Sequence, residues 1–230
     1  MKNLTTGILI VAFVMVHSLA SAQFKEGESF IDGSFYVNVF DNKMKNTDTG
    51  INRYSHNINL SLGRFKSSTF ATGWTLSHNL VTQKLKNYNI DPKSLQTLGF
   101  GVSRFWEFYK PLNDKFSLYV RPNVGLGYKL DNTFESSNDI ILTDTRIHSF
   151  SLGASVSGGV AWRLAPKWAI YGGFAFASPL DVTLGFSKKR NMADIRPDGE
   201  YPQTNARGFS YRFAPDLSSG SIGLGFRYFY

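Results

Sequence analysis

Cysteine is absent from the 230-residue chain. No disulfide can therefore cross-link the fold, and no lipid can be carried on a cysteine behind a leader, which excludes disulfide scaffolds and lipoproteins. Long hydrophobic runs are also missing after residue 22, so no membrane-spanning helix is expected. That absence leaves a membrane β-barrel open, because only every second residue of a barrel strand faces lipid.

Motifs for chemistry are equally scarce. No glycine-rich phosphate loop precedes a helix, and the acidic segment 131–145 lacks the regular oxygen spacing and glycine turn of a calcium site. We therefore expect no cofactor and no metal, and we predict that the protein is not an enzyme. The net charge of +8 is scattered along the chain, so an anionic membrane surface is a better partner than nucleic acid.

The first 22 residues have the three parts of a secretory signal. Lys2 supplies the positive start, residues 8–16 form a short apolar core, and Ala20-Ser21-Ala22 is a small-residue cleavage pattern. The apolar core is too short to span a bilayer comfortably. We predict a signal peptide at 1–22 and a mature domain at 23–230.

The mature chain consists of alternating segments separated by turns. Segment 116–130 places Phe116, Leu126 and Tyr128 on one face and small or polar residues on the other. Alternation of this kind is typical of β-strands with one apolar face. Eight such segments are found, at 30–40, 54–65, 70–80, 96–108, 116–130, 148–163, 168–178 and 221–230.

The connections alternate between long and short. They span 41–53, 66–69, 81–95, 109–115, 131–145, 164–167 and 179–218. Outer-membrane barrels have long extracellular loops and short periplasmic turns. We predict an all-β, antiparallel up-and-down barrel of eight strands with both termini in the periplasm. Segment 179–218 is either a hairpin above the membrane or two further strands of a ten-stranded barrel.

A soluble barrel with its apolar face inward is the alternative. Segments of about 10–14 residues are long enough to cross a bilayer when tilted. The second face is small and polar, as a narrow lumen requires, and the four tryptophans lie toward segment ends, where an aromatic girdle belongs. These features favour the membrane barrel.

The C-terminal segment carries a resemblance. Gly225, Tyr228 and the terminal Tyr230 match the closing signal read by the barrel assembly machinery, although Gly223 stands where that signal usually has a polar residue. The mature chain resembles the small outer-membrane β-barrel families: OmpA-type, OmpX, OmpW and porin-family barrels such as those of Bacteroidota. The resemblance implies the outer membrane of a Gram-negative cell and the assembly machinery as a partner, but no single activity.

Charged residues on the polar face are candidates for a lumen network. They are Asp32, Arg121, Lys129, Arg163 and Arg227, with Glu107 near the periplasmic end. They would line an ion path or form a packed network of salt bridges and water. Eight strands enclose little more than side chains, so we predict the closed network.

Three histidines face outward near the extracellular end by this topology: His56, His78 and His148. A lipid A deacylase of the PagL type carries a His-x-Ser pair there, but no serine follows at that spacing, so interface positions are the favoured interpretation. Basic residues in 41–53, 81–95 and at Lys188-Lys189-Arg190 indicate either lipopolysaccharide phosphates as partners or charges that only keep the loops soluble. We expect segment 179–218 to carry structural or partner interactions, with outer-leaflet lipid modification and small-solute transport as alternatives.

Overall fold

A computed structural model describes residues 24–43, 50–86, 95–137, 140–194, 196–213 and 222–230. Within these ranges no helix is long and apolar enough to cross a membrane. Nine strands are present: β1 (Ser29–Lys43), β2 (Gly50–Ser67), β3 (Phe70–Lys86), β4 (Leu95–Pro111), β5 (Phe116–Ser137), β6 (Ile140–Ala165), β7 (Trp168–Asn191), β8 (Gln203–Phe213) and β9 (Ile222–Phe229). The predicted signal peptide lies outside the described residues.

Eight of the strands close an antiparallel barrel. Strands β1 to β7 pair in chain order, and β9 pairs with both β7 and β1. The prediction of an eight-stranded barrel is confirmed. Tight turns at 68–69, 112–115 and 166–167 lie at one end, which we call the turn end, and the opposite end is the loop end.

Strand β8 lies beside the wall strands without closing the barrel. It pairs with Leu180–Arg190 of β7, whereas β9 pairs with Trp168–Phe174 of the same strand. The two strands therefore follow one another along one side of β7. In the described chain, the β1–β9 ladder covers Phe30–Gly33, and backbone hydrogen bonds between Ser29 and Tyr230 continue it by one residue.

The predicted long connections are shorter in the structure. Strands run well into 41–53, 81–95 and 131–145, and they leave only 44–49, 87–94 and 138–139 outside the described residues. The prediction followed apolar alternation, which ends where the sequence becomes polar. Backbone hydrogen bonds need no apolar side chain, so pairs such as Asn132–Arg146 and Thr133–Thr145 extend the ladder.

Segment 179–218 is not a long loop. Residues 180–191 continue β7, residues 203–213 form β8, and 214–218 lie outside the described residues. The β7–β8 pairing shows that the hairpin alternative is correct in its topology and that the ten-stranded alternative is wrong. Pro179 does not end β7, because the register with β6 shifts there and the residue without an N–H falls at the irregularity.

The seam between β7 and β9 depends on Gly225. A Cβ at this position would lie 2.2 Å from the ring of Tyr171, which points into the barrel from β7. We predict that Gly225→Ala lowers the free energy of unfolding by about 1–3 kcal/mol because the ring must shift. Gly223→Ala is the control, since its nearest neighbour would be a carbonyl oxygen at 3.9 Å.

The measurement is denaturant unfolding of refolded protein in detergent micelles, where no assembly machinery acts. In a Tyr171→Ala background the cost of Gly225→Ala should fall to near zero, as expected for two side chains that collide. An undiminished cost in that background would show that the close approach is not the reason for the glycine.

Candidate functional site

Four charged side chains meet inside the barrel at the level of the β1–β9 pairing. Asp32 comes from β1, Glu107 from β4, Arg121 from β5 and Arg227 from β9. Arg227 donates to both Asp32 oxygen Oδ2, at 2.5 Å, and Glu107 oxygen Oε1, at 2.9 Å. Arg121 lies 3.2 Å from Glu107 and 3.5 Å from Asp32. We call these four residues the charge cluster.

The charge cluster is balanced and largely buried. Two carboxylates face two guanidinium groups, and Asp32, Glu107 and Arg227 are at most 4% exposed. Arg121 also donates to the hydroxyls of Ser61 and Thr75, at 2.8 and 2.9 Å. A buried ion pair is tolerated only when its remaining hydrogen-bonding groups are satisfied, and these contacts meet that condition.

Aromatic rings surround the charge cluster and fill the barrel toward the turn end. Arg121 lies over the ring of Phe105 and Arg227 over that of Phe30, each at 3.8 Å. The aromatic plug, as we name it, consists of Phe24, Phe30, Phe65, Phe105, Tyr109 and Phe229. Successive rings are in contact, with centroids 4.5 to 6.4 Å apart. All six plug side chains are at most 6% exposed, so the barrel is densely packed at this level.

The segment before β1 closes the turn end. Phe24 stacks on Phe65 and is 1% exposed, although it precedes the first strand. Backbone bonds of 2.9 Å join Gly27 to Phe65 and Phe65 to Glu28. Arg163 binds Glu28 through two hydrogen bonds, of 2.6 and 3.1 Å. The start of the described chain is thus folded back into the barrel mouth.

The five predicted lumen charges do not form one group. The structure brings Asp32, Arg121 and Arg227 together with Glu107. Lys129 lies toward the loop end, where it pairs with Asp131 at 2.8 Å and stays half exposed. Arg163 lies at the turn end with Glu28. Both side chains face inward, as predicted, but each lies too far along the barrel axis to reach the charge cluster.

Above the charge cluster the lumen is open and polar. A cavity of about 500 Å³ has Asp32, Arg121 and Tyr119 at its floor. A second cavity of about 420 Å³ continues toward the loop end and shares Ser77, Ser103, Asn123 and Ser155 with the first. Serine, asparagine and glycine are the commonest residues in the two linings, so water can fill this part of the lumen.

The outer surface carries a broad apolar band. Its members are exposed by 39 to 61%: Leu60, Leu62, Leu76, Val102, Val124, Leu126, Leu152 and Val160. The inward neighbours on the same strands are small or polar, so this barrel has its apolar face outside. Arg104 interrupts the band, and its guanidinium group lies over Trp74 at 5.2 Å.

Two rows of aromatic rings border the band. The lower row, near the turn end, has three contacting pairs: Phe70 with Phe108, Phe116 with Trp162, and Trp168 with Tyr228. The upper row runs through Tyr54, His56, His78, Phe100, Tyr128, Phe150 and Phe186. The bordered apolar band is the surface that a barrel presents to a bilayer.

Two of the three histidines, His56 and His78, lie in the upper row, and His148 contacts the row at Tyr128. His56 Nε2 is 3.0 Å from His78 Nδ1, and His148 Nδ1 is 2.8 Å from the hydroxyl of Tyr128. No serine or carboxylate is hydrogen-bonded to these rings in the described chain. No cluster of three metal-ligating side chains is found there either.

The assembly-signal residues lie where β9 closes the barrel. Tyr228 and Tyr230 face outward, and Tyr228 contacts Trp168 in the lower row. Gly225 faces inward against Tyr171. Their recognition by assembly machinery remains a prediction. In the finished barrel Gly225 and Tyr228 have packing roles, and the backbone of Tyr230 is hydrogen-bonded to that of Ser29.

Sequence reasoning missed the aromatic plug, because the aromatic residues were assigned to the two girdles. The inward-facing residues of the sequence do contain a signal for the plug, because three charged residues each have a phenylalanine two positions away. The pairs are Phe30 with Asp32, Phe105 with Glu107, and Phe229 with Arg227. Side chains two apart on a strand share a face. Three strands therefore repeat an aromatic residue beside a charge on the lumen side. Phe24 carries no such signal, since it precedes the first alternating segment.

Comparison with known proteins does not assign the chain to a family. No protein-family model and no curated protein matches the chain. The crystal structure of outer membrane protein OprG from Pseudomonas aeruginosa is 11% identical, with a TM-score of 0.49 over 91% of this chain and 99% of that one. The translocator domain of autotransporter NalP from Neisseria meningitidis is 9% identical, with a TM-score of 0.34 over 99% and 95%. Likeness at this level carries no inference about family or function.

Breaking the charge cluster should destabilise the barrel. We predict that Arg227→Met costs about 3–5 kcal/mol of unfolding free energy, because Asp32 and Glu107 are then left with Arg121 alone. Adding Glu107→Gln should recover part of the loss by restoring charge balance. Lys129→Met is the control: its pair is half exposed, so the cost should stay below about 1 kcal/mol.

Denaturant titration of tryptophan fluorescence in detergent micelles measures all three variants. Equal losses for Arg227→Met and Lys129→Met would contradict a special role for the buried cluster.

Proposed function

We propose that the protein is an integral outer-membrane β-barrel, sealed toward the periplasm, which acts through its extracellular face and not as an enzyme. The observation that carries this proposal is the apolar band between two aromatic rows on the outside of the wall. A soluble barrel would bury such a band, and it would have no reason to border it with rings.

The height of the band fits a bilayer. Twelve residues separate Phe116 from Tyr128 on β5, and twelve separate Phe150 from Trp162 on β6. At about 3.3 Å per residue and a tilt of about 40°, twelve residues rise roughly 30 Å. A hydrocarbon core is about 30 Å thick. The two rows would thus lie at the two interfaces, where amphipathic rings are favoured.

The turn end would face the periplasm. Short turns belong there in outer-membrane barrels, and Phe24 and Tyr230 lie at the same end. The Gram-negative outer membrane and delivery by the barrel assembly machinery follow from the resemblance of the last strand to an assembly signal. The β7–β8 hairpin is the largest feature at the loop end, so it is the proposed surface for lipid or protein partners.

The apolar band gives a direct test of membrane insertion. Val124 is 42% exposed between the two aromatic rows. Val124→Arg should lower barrel stability in phospholipid vesicles by about 2–4 kcal/mol, the cost of a cation near the bilayer midplane. Leu112→Arg is the control. Leu112 is 54% exposed but lies in a turn outside the band, so its replacement should change stability little.

Folding equilibria in vesicles, followed by the gel shift between unboiled and boiled samples, provide the measurement. If Val124→Arg were as well tolerated as Leu112→Arg, or if the mature protein stayed dissolved without detergent, the protein would not be a membrane barrel.

Small-solute passage is the second candidate, and the open polar cavity favours it. The cavity above the charge cluster is lined in part by Phe174 and Leu224, which lie near the start of β9. The aromatic plug opposes passage into the periplasm, so we predict no steady ion conductance for the wild type in a planar bilayer. Stable single-channel currents would favour transport and contradict the sealed barrel.

A further inference from the structure

Four cations gather on the outer surface where β6, β7 and β8 extend toward the loop end. Arg146 is on β6, Lys188 and Arg190 are on β7, and Arg207 is on β8. Cross-strand pairing puts all four on the outward face: Arg146 is opposite Lys188, Arg190 opposite Asp144, and Arg207 opposite Phe186. We call these four residues the basic patch. With Asp144 its net charge is +3.

The arrangement of the basic patch is unfavourable unless an anion binds. Arg146 and Lys188 are directly opposite one another, and like charges in that relation destabilise a sheet. Two nearby carboxylates serve other partners, since Asp131 pairs with Lys129 and Glu135 with Lys189. No ion pair is formed by Arg146, Lys188 or Arg207 within the described part of the chain. An anionic group from outside would relieve the repulsion.

The basic patch adjoins the upper aromatic row. The guanidinium group of Arg207 lies 6.0 Å from the centre of the Phe186 ring, within the range of a cation–π contact. Lys188 is two residues above Phe186 on the same face, and Arg146 is four above Phe150. Two to four strand residues rise about 5–10 Å in a tilted barrel, which is the depth of a lipid headgroup.

Below the basic patch the same strands expose an apolar strip. Phe209, Tyr211 and Phe213 of β8 are 70, 61 and 64% exposed, and Leu184 of β7 is 41% exposed. They share the outward face with the basic patch, because Leu184 pairs with Phe209. The surface is therefore amphipathic. The cations lie nearer the loop end, and the rings that acyl chains would cover lie next to them on the side of the turn end. A soluble anion would use only the upper half.

We propose that this face of the β6–β8 sheet binds a phosphorylated glycolipid of the outer leaflet. Arg146, Lys188 and Arg207 would hold the phosphate groups, and the acyl chains would pack along Leu184, Phe209 and Tyr211. The inference rests on the proposed membrane insertion and names the partner of the β7–β8 hairpin. It also gives β8 a role, because β8 supplies Arg207 and most of the apolar strip without closing the barrel.

The test uses the full mature chain in nanodiscs of zwitterionic phospholipid, to which bisphosphorylated lipid A is added as the probe. The patch variant combines Arg146→Gln, Lys188→Gln and Arg207→Gln. The control variant combines Lys129→Gln, Lys189→Gln and Arg212→Gln, which removes the same charge from the lumen face at the same end. Native mass spectrometry or fluorescence titration gives the affinity for the probe.

We expect the patch variant to lose roughly fivefold in affinity per cation, on the order of 100-fold in total, because each surface cation near an anionic leaflet contributes about 1 kcal/mol. The control variant should lose less than threefold. Dephosphorylated lipid A should bind the wild type as weakly as bisphosphorylated lipid A binds the patch variant.

Three results would overturn the inference: equal losses in the two variants, equal binding of phosphorylated and dephosphorylated lipid A, or full competition by millimolar inorganic phosphate, which would indicate a site for free anions. The gel shift of each variant in vesicles is measured first. Failure of the wild type to insert would reject the membrane proposal itself, whereas insertion without phosphate discrimination would reject only the lipid site.

Discussion

Arg227 makes the contact on which the rest of the barrel depends. It lies on the last strand, and its guanidinium group reaches Asp32 on the first strand and Glu107 on the fourth. Strand β9 has only eight residues, and its described pairing with β1 covers four positions. Few backbone hydrogen bonds join β9 to β1, so side-chain contacts across the lumen contribute much of the stability of this closure. Charged groups at this depth must be paired completely or they destabilise the fold.

The lumen is organised in layers around that contact. Toward the turn end, rings from four strands and from the segment before β1 fill the barrel. Toward the loop end, serine, threonine and asparagine side chains leave room for water. The charge cluster separates the dry layer from the wet one. Among the described residues, the polar cavity lies on the loop-end side of the charge cluster. Under the proposed function, this order leaves the loop end and the outer wall as the surfaces for interactions with other molecules.

The outer wall follows one physical rule, which the sequence already shows. Residues such as Leu126 and Asn123 alternate because successive side chains of a strand face opposite ways, so strand faces and barrel class could be predicted from spacing alone. Strand ends could not. Where apolar residues stop, hydrogen-bond pairing between Asn132 and Arg146 continues without a sequence signal. Only the folded register shows that 180–191 prolongs β7 and that 203–213 pairs with it.

The candidate site, like the fold, could be predicted only in part from the sequence. The inward phase of Asp32, Arg121 and Arg227 follows from alternation, but which charges meet depends on their height along the barrel axis. Lys129 and Arg163 also face inward, but they lie too far from the charge cluster along the barrel axis to join it. Phe24 precedes every strand, so its place in the aromatic plug depends on the chain folding back and on the bonds between Gly27, Glu28 and Phe65.

A depth profile along β5 tests the membrane barrel most directly. Spin labels placed one at a time at outward positions from Phe116 to Tyr128 would report collisions with oxygen, which concentrates in lipid, and with a water-soluble nickel complex. For a membrane barrel, oxygen accessibility should peak between Val120 and Val124 and fall toward the aromatic rows at Phe116 and Tyr128, while labels at inward positions such as Asn123 show no oxygen peak. High nickel accessibility along the whole outward face would contradict it.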